Sequence, residues 1–497
     1  MPQDPAQRPY VLLLQPRFGD WEKIEGIMPP LGLLHVARGL RPDCDVTLLD
    51  HRCHGRRWPA VLHAALVRRP VLVGLTSIVG PSIADSLEMA DEVWRIWPGV
   101  PIIWGGVAAS LLAAVALRDA RVTAVVHGQG DGVLREIVQA IELDQPLDTV
   151  AGLSIRGQDG AILRTRERAP VQRSDLAELP YDLVDMPFYL RQYRGGGWLP
   201  MVSSFGCPCD CTFCYSPGLH HRRWRPVPAD RVIADVQAAI ARWGVRNIQF
   251  LDDNFFADRR RALAIAAGLA PLGVQWMAHG LTILDANRLT DADLALIAAS
   301  GCVELGSGIE SGADSTLTAI RKPNSVEEAL AVNRRLARLP LAVTYGLVVG
   351  FPGETDAEIK QTIDIARQLM DENPQADVKH IAPLLPLPGS ALFDVAVAMG
   401  FEPPENWRQW GDYEATKAKV PWLDDRQRRR LDALFFCSIF LRRGKLQRHG
   451  IGGPLPWLVD NLYSPIANWR VNTGNYGWMW ELEVKKVVER LWPTRQG

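Results

Sequence analysis

The sequence predicts an α/β protein in three parts: a doubly wound parallel-sheet domain, a partial (β/α)6 barrel, and a mainly helical extension. Three observations carry this. Short apolar runs bounded by Gly or Pro alternate with helical patterns over residues 10–150. The alternation resumes after Leu199 and supports six strand–helix units at most. The last hundred residues lose it and hold eight of the 17 tryptophans. Alternating strand and helix signals indicate a parallel sheet covered by helices. Six units fall short of a closed eight-fold barrel.

The elements follow in order. Tyr10–Gln15 (YVLLLQ) is an unbroken apolar run of strand length, and Pro30–Leu40 has helical spacing. Strands are expected at Val46–Leu49, Val71–Thr76, Pro101–Trp104 and Val122–His127, with an amphipathic helix at Ser82–Trp97. Residues 1–150 form the first expected domain. Residues 151–196 read as a connecting region that ends near a Gly195-Gly196-Gly197 run. Residues 197–395 form the barrel. Its expected strands are Met201–Ser204, Asn247–Leu251, Val274–Ala278, Val303–Leu305, Ala342–Val349 and Val378–Leu385. Helices are expected at Asp230–Trp243, Arg259–Leu269, Asp291–Ala299, Val326–Leu339 and Asp356–Asp371. Residues 396–497 form the Trp-rich helical extension, read as packing on the barrel.

Composition bounds the function. The 497 residues are 47% hydrophobic and 22% charged, which excludes a disordered chain, a collagen or a disulfide-stapled mini-protein. Fifty-five basic and 56 acidic side chains give no expectation of nucleic-acid binding. No apolar run reaches the roughly 18 residues of a membrane span. The longest, Ala433–Leu441, reads as a buried helix. The opening MPQDPAQRPY lacks the layout of a signal peptide. The expected location is the cytoplasm.

Half of the eight cysteines fall within Cys207–Cys214, whereas a disulfide framework would spread them. Cys44, Cys53, Cys302 and Cys437 are scattered and read as small buried hydrophobes. In Cys207-Pro-Cys-Asp-Cys211-Thr-Phe-Cys214, cysteines stand at i, i+4 and i+7 directly after a predicted strand. Three thiolates on one loop can hold three irons of a cubane and leave the fourth open to an outside ligand. An open iron can chelate the amino and carboxylate groups of S-adenosylmethionine. The alternative is structural zinc, which usually pairs two ligands with a distant second pair. No such pair follows at suitable spacing. Cys209 is surplus and reads as a spectator.

This spacing, with Phe213 before the last cysteine, resembles the radical S-adenosylmethionine superfamily. The similarity continues for nearly 200 residues. It runs through Phe250–Phe255 (FLDDNF), Gly306–Gly312 (GSGIESG), Lys322-Pro323, Gly350–Thr355 (GFPGET) and Pro386–Ser390 (PLPGS). The resemblance implies a 4Fe-4S cluster on Cys207, Cys211 and Cys214 as the metal-binding and catalytic core. It implies that Phe213, Asp252, Glu310 and Ser311 seat S-adenosylmethionine. A solvated loop residue or helix cap is the alternative for each acid. Where many members carry an arginine after the third strand, this chain has His279-Gly280-Leu281-Thr282.

The first 150 residues resemble the Rossmann-like cobalamin-binding domain that often precedes such a barrel. The matching segments are Met28–Gly32, Gly74–Ser77, Trp104–Gly106 and His127–Asp131. The resemblance implies cobalamin contacts from Thr76, Ser77, Gly105, Gly106, Gly128, Gly130 and Asp131. Small residues at strand ends let a large flat ligand approach the backbone. The cobalt-ligating DxHxxG pattern is absent: Asp50-His51-Arg52-Cys53-His54-Gly55 has the residue types at the wrong spacing. The resemblance implies that cobalamin binds with its own base displaced and no histidine ligand, and His51 and His54 are then expected as surface or loop residues. A methylthiotransferase is disfavoured, because its N-terminal domain needs three cluster cysteines and only Cys44 and Cys53 are present.

The family resemblance implies a cobalamin-dependent radical C-methyltransferase. An adenosyl radical would abstract hydrogen from an unactivated carbon of a small-molecule substrate, and the substrate radical would take a methyl group from cobalt. The expected partners are that substrate and an electron donor of the flavodoxin or ferredoxin type. An oxidative cyclase or ring-rearranging enzyme with the same cofactors is the alternative reaction. A non-catalytic cobalamin sensor is the alternative from another class, and the intact cysteine motif speaks against it. The tryptophans could line a site for a flat or lipidic substrate, or form an ordinary aromatic core.

Overall fold

The computed structural model describes residues 8–19, 22, 26–168, 177–442, 457, 459–477 and 479–481. Two compact units emerge. One is built from the chain up to Gln192 together with Pro403–Glu414, the other from Tyr193–Glu402 and the described residues after Glu414.

In the first unit the described strands are β1 (Tyr10–Gln15), β2 (Asp45–Asp50), β3 (Leu72–Thr76), β4 (Ile102–Gly105), β5 (Val122–Val126), β6 (Leu153–Arg156) and β7 (Ile162–Arg164). They form one sheet in the order β2-β1-β3-β4-β5-β6-β7. All six residues of β1 are buried, as suits a central strand covered on both faces. The first five strands pair in parallel. The order reverses at β1, with β2 on one side and β3 on the other. In open sheets of this kind the ligand crevice lies at that reversal, beyond the carboxyl ends of the strands. Helices Leu31–Leu40 and Val133–Glu142 cover the sheet, with Leu34, Ala37, Ile137 and Val138 in one core with Val11, Leu13 and Ile103.

Residues 151–196 are not merely a connection. β6 extends the sheet antiparallel to β5 and β7 lies antiparallel to β6, the two joined by a turn in which Gly157 N–H donates to Ala161 O. The hairpin escapes sequence reading because β7 has only three residues, all exposed, and therefore no alternation. The Trp-rich extension is also divided. Trp407 and Trp410 lie on a short helix capped by Asn406 and are buried within the first unit. Trp407 meets the buried Trp104 edge-on, ring centroids 5.4 Å apart. Trp457, Trp469 and Trp480 are largely exposed. Trp478 and Trp492 lie outside the described residues.

In the second unit β8 (Trp198–Met201) is followed by a two-residue pair, β9 (Ser204–Phe205) and β10 (Arg225–Pro226). Then come β11 (Asn247–Phe250), β12 (Gln275–Ala278), β13 (Cys302–Glu310), β14 (Ala342–Val349) and β15 (Ala376–Pro383). The main sheet is six-stranded and parallel, β15-β14-β13-β12-β11-β8, so each strand lies beside its predecessor in this unit. That is the expected partial barrel. On β14, Val343, Tyr345, Leu347 and Val349 are buried and alternate with half-buried Thr344, Gly346 and Val348. Three of the covering helices start at reciprocal side-chain caps. Thr290 with Asp293, Ser325 with Glu328 and Thr355 with Glu358 each form a reciprocal box. The extension adds helices Asp425–Ser438 and Ser464–Thr473. Among the described residues no helix is long and apolar enough to cross a membrane.

Candidate iron–sulfur and cofactor site

The site in the second unit begins where β8 ends. Ser203 and Ser204 are pinned by Asp252, two residues past β11. Asp252 Oδ1 accepts from Ser203 N–H at 2.7 Å, and Oδ2 accepts from the hydroxyls of Ser203 at 2.7 Å and Ser204 at 2.5 Å. Burial pushes this carboxyl up, against those hydrogen bonds and the nearby Arg261. Asp252 thus ties two strand ends together. Its neighbour Asp253 accepts from Gly206 N–H at 2.8 Å, so adjacent carboxylates set the entry to the cysteine loop.

The loop is tied on its far side too. Thr212 N–H donates to Ile320 O at 2.9 Å, Leu392 N–H to Thr212 O at 2.8 Å, and Arg321 Nη1 to Asp210 at 3.1 Å. Cys211 is buried, and Cys207, Cys209 and Cys214 are half-buried. Asn254 Nδ2 approaches Cys207 Sγ at 3.9 Å, and Ser216 N–H donates to Cys214 Sγ at 3.4 Å. A hydrogen bond from the Cys209 thiol, with the Cys209 amide and Asn254, holds Cys207 down to about 7 against burial. Burial pushes Cys214 up to about 12. Phe213 packs edge-on against Phe351, ring centroids 6.0 Å apart, and walls the loop with Leu317 and Leu384.

At the end of β13, Glu310 has a left-handed backbone, φ +77°, which is rare for a residue with a side chain. Its carboxylate folds back over Gly308, where a Cβ would stand 2.1 Å from Glu310 Oε1. Lys322 Nζ donates to that oxygen at 2.8 Å, both side chains being largely buried. Lys322 also interacts electrostatically with Cys211 and Cys209. Ser311 is fully buried and engaged inside the fold. Its hydroxyl lies 3.2 Å from that of Thr362 and accepts from Ala313 N–H at 3.2 Å.

Glu354 shows how far burial can move an acid. Its Oε2 accepts from Gly350 and Phe351 N–H, while the buried Oε1 has no partner among the described residues. Burial pushes it from 4.5 to about 7. The folded protein therefore holds a proton that the unfolded chain loses first. The associated stability is full below about pH 4.5 and lost as the pH rises to about 7. Glu354→Gln stays neutral and keeps an acceptor. It is expected to match the wild type near pH 4.5 and to exceed it by up to about 3 kcal/mol at pH 8, read by denaturant titration at both.

The first unit presents its own edge. At the end of β3, Ser77 N–H donates to Gly105 O and Ser77 O accepts from Ala108 N–H. The Ser77 hydroxyl is buried and has no partner among the described residues, as is Gln129 Nε2 after β5. Gly106 sits at φ +87°, and a Cβ there would lie 2.5 Å from Ser77 O and 2.7 Å from Thr76 Oγ1. Its small size thus serves closure of the β3–β4 edge. Gly105 and Gly128 are open, the latter at φ +64° with nothing within 4 Å of an added Cβ. Gly130 abuts Val36, where a Cβ would stand 2.8 Å from Cγ2. Asp131 is buried and accepts from Arg38 Nη2 at 2.6 Å, pinning the loop after β5 to helix Leu31–Leu40. His51 is not a surface residue. It is half-buried, hydrogen-bonds Asp85 at 2.9 Å and stacks on Trp58 at 4.4 Å. Asp85 also holds Arg17, so this network joins the ends of β1, β2 and the helix after β3.

Residues 201–366 match the radical SAM superfamily, and residues 21–138 match the B12 binding domain. The chain is a cobalamin-binding radical S-adenosylmethionine enzyme. This radical enzyme is 26% identical over 437 residues to an uncharacterized methyltransferase, PH0819, of Pyrococcus horikoshii, across 87% of this chain and 92% of that one. It is 24% identical over 388 residues to bacteriochlorophyllide d C-12(1)-methyltransferase of Chlorobaculum tepidum, across 77% of each. Its fold matches the solved structure of OxsB, a cobalamin-dependent S-adenosylmethionine radical enzyme, with a TM-score of 0.76 over 98% of this chain and 75% of that chain, at 16% identity.

The cofactors of the radical enzyme are a 4Fe-4S cluster, S-adenosylmethionine and cobalamin. The residues present fit them. Among the described residues no three His, Cys, Asp or Glu side chains converge on one point, as a single metal ion would need. A cubane asks instead that each thiolate take a separate iron, and one loop supplies three with a polar or cationic neighbour each. On the cobalamin side, the buried unpartnered Ser77 hydroxyl and Gln129 amide call for outside polar groups. Cobalamin carries such groups around its ring. Sequence reading marked Lys322 and Asn254 only as members of motifs. Their contacts with Glu310 and Cys207 come from tertiary closure.

Proposed function

We propose that the protein is a cobalamin-dependent radical C-methyltransferase acting on an unactivated carbon of a small-molecule metabolite, aromatic or lipidic in character. The observation that carries this reading is the joining of both cofactor domains in a chain similar to a methyltransferase over 87% of its length. When bound, cobalamin supplies a transferable methyl group, and the cluster supplies the electron that makes a radical from S-adenosylmethionine. Residues 1–150 bind cobalamin in this reading and residues 197–395 the other two cofactors. Cys207, Cys211 and Cys214 hold the cluster. Glu310 offers a carboxylate to the ammonium or ribose hydroxyls of S-adenosylmethionine. Phe213 and Phe351 exclude water from one side of the loop. Ser77, Gln129 and the open Gly128 receive the polar rim of cobalamin. Asp252, Ser311 and Asp131 act one step back, by fixing the loops that carry these groups. A flavodoxin- or ferredoxin-type protein delivers the electron.

The test needs no knowledge of the substrate. Protein loaded with cluster and reduced cobalamin is incubated without oxygen with methyl-labelled S-adenosylmethionine. A methyltransferase passes the label to cobalamin and releases S-adenosylhomocysteine. Formation of 5′-deoxyadenosine alone, with the label retained on methionine, would overturn the reading in favour of an oxidation, cyclisation or rearrangement.

A further inference from the structure

We infer that the Glu310–Lys322 pair sets the reduction potential of the cluster held by Cys207, Cys211 and Cys214. This rests on the cluster assignment above and goes beyond it, to how readily the cluster takes its electron.

The pair is held from several directions. Lys322 follows Arg321, whose backbone is left-handed at φ +53°, and Lys322 N–H closes that turn on Leu317 O at 2.9 Å. The same turn holds the cysteine loop through the Thr212–Ile320 and Arg321–Asp210 hydrogen bonds, on either side of Cys211. Glu310 is fixed by its own left-handed backbone and by the missing side chain of Gly308. Moving either charge to solvent breaks the 2.8 Å pair. Side-chain exposure is 7% for Lys322 and 12% for Glu310.

A buried ion pair is a poor stabilising device, since desolvation offsets most of the attraction. Its placement suits another task. Cluster potentials follow net charge, hydrogen bonds to the sulfurs and solvent exposure. In a low-dielectric site a fixed charge acts strongly on a neighbour. Lys322 interacts with Cys211, and Glu310 acts on the same thiol in the opposite sense. The ammonium has three N–H donors, and Glu310 takes one, leaving two for acceptors that the cluster brings. The other two ligands already have donors of their own, Asn254 on Cys207 and Ser216 N–H on Cys214. Beside the third, Cys211, stands the Lys322 charge.

The test is a redox titration of the cluster, followed by electron paramagnetic resonance at pH 8 without S-adenosylmethionine. Iron is measured first on the wild-type protein and each variant. Lys322→Met leaves the Glu310 carboxylate uncompensated, and the midpoint is expected to fall. Glu310→Gln leaves the ammonium uncompensated, and the midpoint is expected to rise. The double variant is expected to return close to the wild-type value, and Lys322→Arg to stay near it. Displacements of the same sign in the two single variants, or none in either, would overturn the inference, because mere loosening of the loop has no reason to change sign with charge. If Lys322→Met fails to retain iron, the sign of the Glu310→Gln displacement decides. Wild-type protein that holds no iron would instead overturn the cluster assignment.

Discussion

Replacing Cys207, Cys211 and Cys214 together with alanine is expected to remove all cluster iron and reduce S-adenosylmethionine cleavage to the uncatalysed background. The reason is chemical: iron of a cubane takes thiolate ligands, and an alanine methyl group cannot supply one. The wild-type protein is expected to carry about four irons per chain after anaerobic reconstitution. The fold should persist, because the loop is also held by contacts that need no cysteine, including Gly206 to Asp253 and Thr212 to Ile320. Far-ultraviolet circular dichroism reports on that point, and iron analysis with 5′-deoxyadenosine quantification on the chemistry. Cys209→Ala is the control. It removes only a thiol that donates to Cys207 and should keep its iron. A triple variant that still bound iron and cleaved S-adenosylmethionine would sink the assignment.

The second large effect is at Asp252. Alanine there removes the acceptor of Ser203 N–H and of two serine hydroxyls, all buried, and the counter-charge to Arg261. Stripping one partner from a buried charged network costs about 3–5 kcal/mol. Asp252→Asn keeps one acceptor oxygen but points an amide at donors, at a cost of about 1–3 kcal/mol. Urea unfolding of the apoprotein reads both. The family pattern suggests a different outcome, in which Asp252 contacts the cofactor directly. The asparagine variant would then weaken S-adenosylmethionine binding and leave unfolding unchanged, and that pattern would refute the structural role argued here.

Asp252 also shows which information a sequence carries. Its place after an apolar strand is visible in FLDDNF, but not the direction in which each carboxylate points. Side chains alternate only within the strand, and both acids lie beyond it. The cysteine triad is legible because its chemistry needs only local spacing. The central strands are legible because they are continuous apolar runs, buried on both faces. Lys322 and Glu310 stand 12 positions apart and meet only because β13 bulges near Gly308 and a left-handed residue follows. His51 looks like a loop residue until the helix after β3 brings Asp85 to it. In hairpin β6–β7, the second strand has three residues, all exposed, too few to show an alternation.

The return of Pro403–Glu414 to the first unit bears on how the chain is made. Trp104 is synthesised early, yet the Trp407 ring that covers it leaves the ribosome some 300 residues later. Between Gln192 and Pro403 stand about 210 residues, roughly 10–40 s of translation at about 5–20 residues per second. For that interval the nascent first sheet carries an uncovered indole. A fragment ending at residue 192 lacks the Trp407 ring altogether. Expression of the cobalamin-binding part by itself therefore calls for the 403–414 segment, supplied through a linker or as a separate peptide.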